Sequence, residues 1–140
     1  MEIEFVREED IQQICEISNC YFDWTYNSFI SGLKSNNIFL KAVYDNEIVG
    51  FLIADDLIDS YNLLLIAVKD EYKNQNIATK LIKKLENITK NKNIEKIWLE
   101  VKENNLPAIN LYIKNDFKNI YLRRNYYKSG ENALIYEKLI

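Results

Sequence analysis

Two stretches of the sequence combine residue types that could do chemistry. In the first, the apolar run Leu63–Val68 passes through Lys73-Asn74-Gln75-Asn76 into Ile77-Ala78-Thr79, where an amphipathic pattern begins. A strand that turns directly into a helix leaves the first helical N–H groups without intrahelical acceptors. The helix dipole is positive at the same end, so such a junction can hold a phosphate or pyrophosphate. A plain strand–helix connection has the same appearance and is the commoner case. In the second stretch, Glu100 interrupts the apolar pattern Trp98-Leu99-Glu100-Val101, with Asn104-Asn105 and Leu111-Tyr112 following. A carboxylate there is either the outward residue of an alternating strand or a base set among apolar neighbours. Tyr112, one helix later, reads as a core aromatic with its hydroxyl at the surface.

Composition narrows the chemistry further. The 140 residues include no His, two Cys and three Gly. Without His there is no Ser–His or Cys–His nucleophile and no imidazole-ligated metal. Acid–base work falls to carboxylates, Tyr, Lys, Cys or the substrate. Cys15 and Cys20 lie five residues apart on an expected helix. That spacing rises about 7.5 Å, too far for a disulfide, and both thiols read as reduced core residues. A net charge of −3 argues against a general nucleic-acid binder. Met1–Phe5 is acidic and strand-like rather than a signal sequence. Leu63–Val68 is far too short to span a bilayer. The expectation is a cytoplasmic protein with no nucleic-acid or membrane partner.

These residues need a scaffold, and the hydrophobic pattern supplies one. Ile3–Val6 reads as a strand, and Glu8-Glu9-Asp10 suits a helix start ahead of the stripe Ile11, Ile14, Cys15 and Ile17. Thr25 can cap a second helix carrying Phe29, Ile30 and Leu33, followed by a loop at Ser35-Asn36-Asn37. Ile38–Tyr44 and Glu47–Ala54, joined by Asp45-Asn46, form a hairpin. Asp55, Asp56, Asp59 and Ser60 form an acidic loop before the strand Tyr61–Val68, whose continuous apolar run Leu63–Val68 predicts burial on both faces. Ile77, Ala78, Leu81, Ile82, Leu85 and Ile88 make one face of a long helix. Ile94–Val101 is a strand, Leu106–Asn115 a helix with Pro107 in its first turn, and Phe117–Leu122 and Ala133–Leu139 are the last strands. The order β-α-α-β-β-β-α-β-α-β-β predicts one mixed α/β domain over residues 1–140.

The order and separation of these pieces resemble the GNAT superfamily of acetyl-CoA-dependent N-acetyltransferases, over nearly the whole chain. The motifs that carry the resemblance are Ile66-Ala67-Val68, Leu99-Glu100-Val101, Asn105…Ala108…Leu111-Tyr112 and Phe117. Arg123-Arg124-Asn125-Tyr126-Tyr127, followed by Glu131-Asn132-Ala133, is similar to the RimI branch, the bacterial ribosomal-protein-alanine N-acetyltransferases. The resemblance implies a mixed, mostly antiparallel central sheet flanked by about four helices. It also implies acetyl-CoA as co-substrate and the N-terminal amine of a small-subunit ribosomal protein as acceptor, with no metal.

Site roles follow by position from the same resemblance. The backbone at Ile66, Ala67 and Val68 would pair with the pantetheine arm. The turn Asn74, Gln75, Asn76, Ile77, Ala78 and Thr79 would hold the pyrophosphate through main-chain amides. Asn105 would contact the cofactor, Glu100 would act as general base and Tyr112 as general acid. Two positions depart from the family pattern. The turn normally reads Gln or Arg, two residues, Gly, one residue, then Gly or Ala, and here Lys73 and Asn76 replace the first two of these. Asp116 replaces the usual Gly before Phe117. Asn and Asp are among the residues that tolerate the left-handed backbone such sites need. The acidic loop either steers a basic terminus or is simply solvated. A small-amine acetyltransferase, for a polyamine or an amino acid, and a non-catalytic CoA- or partner-binding module remain the alternatives.

Overall fold

The computed structural model describes residues 1–18 and 24–140; Cys20 lies outside the described residues. Among the described residues the elements are β1 (Glu2–Phe5), α1 (Ile11–Ser18), α2 (Tyr26–Lys34), β2 (Asn37–Tyr44), β3 (Glu47–Asp56), β4 (Tyr61–Val68), α3 (Ile77–Asn91), β5 (Lys96–Lys102), α4 (Leu106–Lys114), β6 (Lys118–Arg123) and β7 (Ala133–Leu139). The strands form one sheet in the order β1-β2-β3-β4-β5-β7-β6. Every neighbouring pair is antiparallel except β4–β5. This is the mixed α/β architecture expected of the sequence. No helix among the described residues is long and apolar enough to cross a membrane.

Local chemistry explains the elements. Asp45 and Asn46 both take positive φ, 50° and 64°, as a two-residue hairpin turn with the sheet's own twist requires. Thr25 Oγ1 accepts the Ser28 N–H at 3.2 Å and caps α2. Glu8–Asp10 forms a 3-10 turn rather than the start of an α-helix. There Asp10 is buried and takes the Lys41 ammonium at 2.7 Å, tying the turn to β2. Asn37 belongs to β2 and Asp55-Asp56 to β3, so both strands run further into the expected loops.

Two apolar layers hold the sheet. Leu81, Ile82 and Leu85 of α3, with Ile109 and Tyr112 of α4, pack on Leu40, Leu52, Leu63 and Leu99. On the opposite face Ile11, Ile14 and Cys15 of α1 and Phe29 of α2 pack on Phe39, Phe51 and Ile53. Leu85 is fully buried, so Leu85→Ala is expected to lower the unfolding free energy by about 2–5 kcal/mol, read from the urea midpoint at unchanged m.

The sheet is interrupted where it matters. Ile53 pairs with Leu65 and Ala54 with Leu63, which leaves Leu64 as an extra residue, a β-bulge. Tyr61 and Leu63 face the α3 layer before the bulge, Ile66 and Val68 after it, and Leu65 and Ala67 turn to the α1–α2 layer. A bulge bends its strand and increases the local twist. β4 and β5 pair only at Tyr61–Ile97 and Asn62–Trp98, and beyond those positions they part. Gly50 on β3 permits the close approach on the other side of β4, since a Cβ there would meet the Ala67 carbonyl oxygen at 2.9 Å.

Candidate active site

The parting strands open a cleft of about 840 Å³. Ile66, Ala67 and Val68 of β4 form one wall, and Glu100, Val101 and Lys102 of β5 the other. Asn74, Asn76 and the first turn of α3, Ile77, Ala78 and Thr79, line one end, while Asn105 and Tyr112 come from α4. Thus every site residue expected from the sequence reaches one cleft except Gln75, which is exposed and does not line it. Asp55 and Asp56 pair with Asn62 and Tyr61, at the opposite end of β4. At roughly 3.3 Å per residue that is about 16 Å along the strand from Ile66, too far for direct contact with a reacting group.

At one end of the cleft the chemistry is that of an anion site. Asn74 and Asn76 both take left-handed backbone, with φ of 66° and 60°. Asn76 is the N-cap of α3, yet its side chain does not cap the helix. The first-turn N–H groups are therefore left available to a ligand at the positive end of the dipole. Three lysines, Lys73, Lys102 and Lys114, line the cleft against one carboxylate, Glu100. Lys73 also pairs with Asp70 at 2.9 Å, and the lining still carries more positive than negative charge in a chain of net charge −3.

The same cleft brings a carboxylate and phenols together. Ile97, Leu99 and Val101 alternate into the α3 layer, so Glu100 falls on the half-buried opposite face of β5. Its side chain is 23% exposed and lies 3.6 Å from the Arg123 guanidinium. Tyr112 is 7% exposed and stacks loosely on Phe117 and Tyr136. Burial first, and then the nearby Tyr127, push its pKa up to about 12. Asn105 is the N-cap of α4, its Oδ1 accepting the Ala108 N–H at 3.3 Å. That leaves its Nδ2 group as the part that can serve a ligand.

A profile of the acetyltransferase (GNAT) family matches residues 4–117. The chain belongs to the GNAT acetyltransferase family. It is 32% identical to an N-alpha-acetyltransferase of Saccharolobus solfataricus, over 92% of this chain and 87% of that protein. It is 31% identical to a ribosomal protein bS18-alanine N-acetyltransferase of Haemophilus ducreyi, over 95% of this chain and 96% of that one. The crystal structure of the ribosomal-protein-S18-alanine N-acetyltransferase of Escherichia coli superposes with a TM-score of 0.91 at 26% identity, covering 99% of this chain and 93% of that one.

Four polar cleft side chains of this GNAT chain had no site role in the sequence reading: Tyr72, Lys102, Lys114 and Tyr127. Tyr127 sits in the Arg-Arg-Asn-Tyr-Tyr run, so the motif held a signal that spacing alone could not place. Its ring lies 5.1 Å from the Lys102 ammonium, and burial, followed by the charge of Glu100, raises its pKa. The loop that carries it is pinned beside the site. Asn132 Oδ1 accepts the Asn125 N–H at 2.8 Å, and Asn132 Nδ2 donates to Glu103 at 3.0 Å. Lys114 gives no sequence signal, because only the folded α4 brings its ammonium to the head of α3.

Proposed function

We propose that this chain transfers the acetyl group of acetyl-CoA to the N-terminal α-amine, an alanine, of a small-subunit ribosomal protein. The observation that carries the reading is the cleft between β4 and β5. It joins an uncapped helix start and three lysines, which suit a diphosphate, to a carboxylate and a buried phenol, which suit acyl transfer. The similarity to a protein named for bS18-alanine acetylation supports the choice of acceptor.

The amine nitrogen attacks the thioester carbonyl carbon, a C–N bond forms and the C–S bond breaks. Backbone groups at Ile66–Val68 orient the acyl arm, and the first-turn amides of α3 with Asn74 and Asn76 hold the diphosphate. Asn105 contributes Nδ2 to the same molecule, and Glu100 takes the proton from the attacking amine. Tyr112 presents its hydroxyl to the departing sulfur.

The acceptor class follows from acidity. With a pKa of about 7.7–8.0 an α-amine is roughly 10–20% neutral at pH 7, against well under 0.1% for a lysine side chain. One carboxylate suffices for the first and is a weak means for the second.

Mass spectrometry of purified chain incubated with acetyl-CoA and a panel of acceptors tests the assignment. One acetyl group on the terminus of Ala-initiated ribosomal peptides is expected, and none on the same peptides with a blocked terminus. Turnover of polyamines or free amino acids without turnover of the peptides would overturn the acceptor.

A further inference from the structure

The anion end of the cleft contains a contact that the acyl-transfer chemistry does not need. Asn76 heads α3 with φ 60° and ψ 22°, and its side chain leaves the helix uncapped. Its Oδ1 instead accepts a hydrogen bond from the Lys114 Nζ at 2.8 Å. One residue further on, the buried Asn115 donates from Nδ2 to Thr79 Oγ1 at 3.2 Å. The end of α4 is thereby clipped to the first turn of α3, and the Lys114 backbone is held in place beside it. An ammonium at the positive end of a helix dipole is electrostatically unfavourable by itself. A bound anion reverses that sign, because the ammonium, the dipole and the free N–H groups then all attract it.

We infer that Lys114 is a ligand for the diphosphate of the acyl donor, and that Asn76 is its positioning residue. The departure from Gly at position 76 then recruits a cation to the site. Left-handed backbone, which Gly would adopt freely, is kept by Asn, and the added carboxamide directs the lysine. This inference rests on acetyl-CoA being the acyl donor.

Calorimetry with acetyl-CoA and acetyl-dephospho-CoA, together with NMR titration of S-acetylpantetheine, separates the phosphates. Lys114→Met is expected to weaken both nucleotide donors alike, by about tenfold, the loss of one solvent-exposed charge-assisted contact. It should leave S-acetylpantetheine, which has no phosphate, unchanged. Lys114→Arg keeps the charge and should stay within about threefold of wild type. Asn76→Gly should fall between wild type and Lys114→Met, and the double variant should bind no more weakly than Lys114→Met alone.

Unchanged binding of acetyl-dephospho-CoA by Lys114→Met would overturn the inference, as would a loss confined to acetyl-CoA, which would assign Lys114 to the 3′-phosphate. A loss shared by S-acetylpantetheine would reveal a merely structural residue. Tighter binding by Asn76→Gly would overturn the role of Asn76. Failure of the wild-type chain to bind acetyl-CoA would overturn the donor reading itself, and this inference with it, so the two failures are distinguishable.

Discussion

Glu100→Gln is expected to lower kcat by about 10²–10⁴-fold, the usual contribution of a positioned general base, with acetyl-CoA affinity within a few-fold of wild type. The amide keeps the shape of the side chain and removes the proton acceptor. It also weakens the 3.6 Å pairing with Arg123, so a structural role for Glu100 must be separated from a chemical one. Arg123→Met makes the separation. It breaks the same ion pair but leaves the carboxylate, and it should therefore retain most of the turnover. Equal damage from both substitutions would assign the ion pair, not the base.

A second signature belongs to the chemistry alone. Without a base the enzyme depends on amine that is already neutral, so kcat/KM of Glu100→Gln should rise about tenfold per pH unit below the amine pKa of about 8. The wild-type profile should be flatter there. A parallel pair of profiles in a steady-state assay would contradict the assignment of Glu100 as base.

Much of this arrangement is legible in the sequence because the signals are local. Amphipathic spacing places α3, Pro107 marks the first turn of α4, and Asp45-Asn46 marks the hairpin. Asn76 and Asp116 announce left-handed backbone by residue type, and both adopt it, at φ 60° and 68°. The least legible feature is the one that makes the cleft. Leu63–Val68 is apolar at every position, so inserting a bulge at Leu64 changes which residues face α3 without breaking any visible alternation. The short β4–β5 pairing, limited to two residue pairs, likewise leaves no mark in the local pattern of the sequence. Long-range polar contacts share this property. Lys114 with Asn76, Arg123 with Glu100 and Asn132 with Glu103 each join residues at least 23 apart, and no window along the chain contains both partners. What the sequence carries, then, is the list of groups. The bulge and these contacts decide which of them meet.

Tyr112→Phe is expected to lower kcat by about 10²-fold, the low end for a proton-transfer group, while leaving the fold and acetyl-CoA binding nearly intact. The ring stays, and with it the packing on Phe117 and Tyr136; only the hydroxyl goes. The raised pKa, about 12, shapes how that hydroxyl acts. Against a free thiol near 8.5, complete transfer of the phenolic proton is uphill by about 3.5 pK units. The more economical role is a hydrogen bond that strengthens as negative charge gathers on sulfur. A thiolate released beside the buried Tyr112 hydroxyl would likewise be raised in basicity, which would narrow the mismatch. The sign of the shift gives a further test. An unperturbed tyrosine would begin to lose its proton, and its function, near pH 9–10. Tyr112 is instead expected to remain protonated beyond that range, so wild-type kcat should hold a plateau to at least pH 10 wherever the fold itself survives. A fall in kcat with an apparent pKa near 10 that is absent from Tyr112→Phe would show an ordinary, solvent-exposed phenol and contradict the buried geometry.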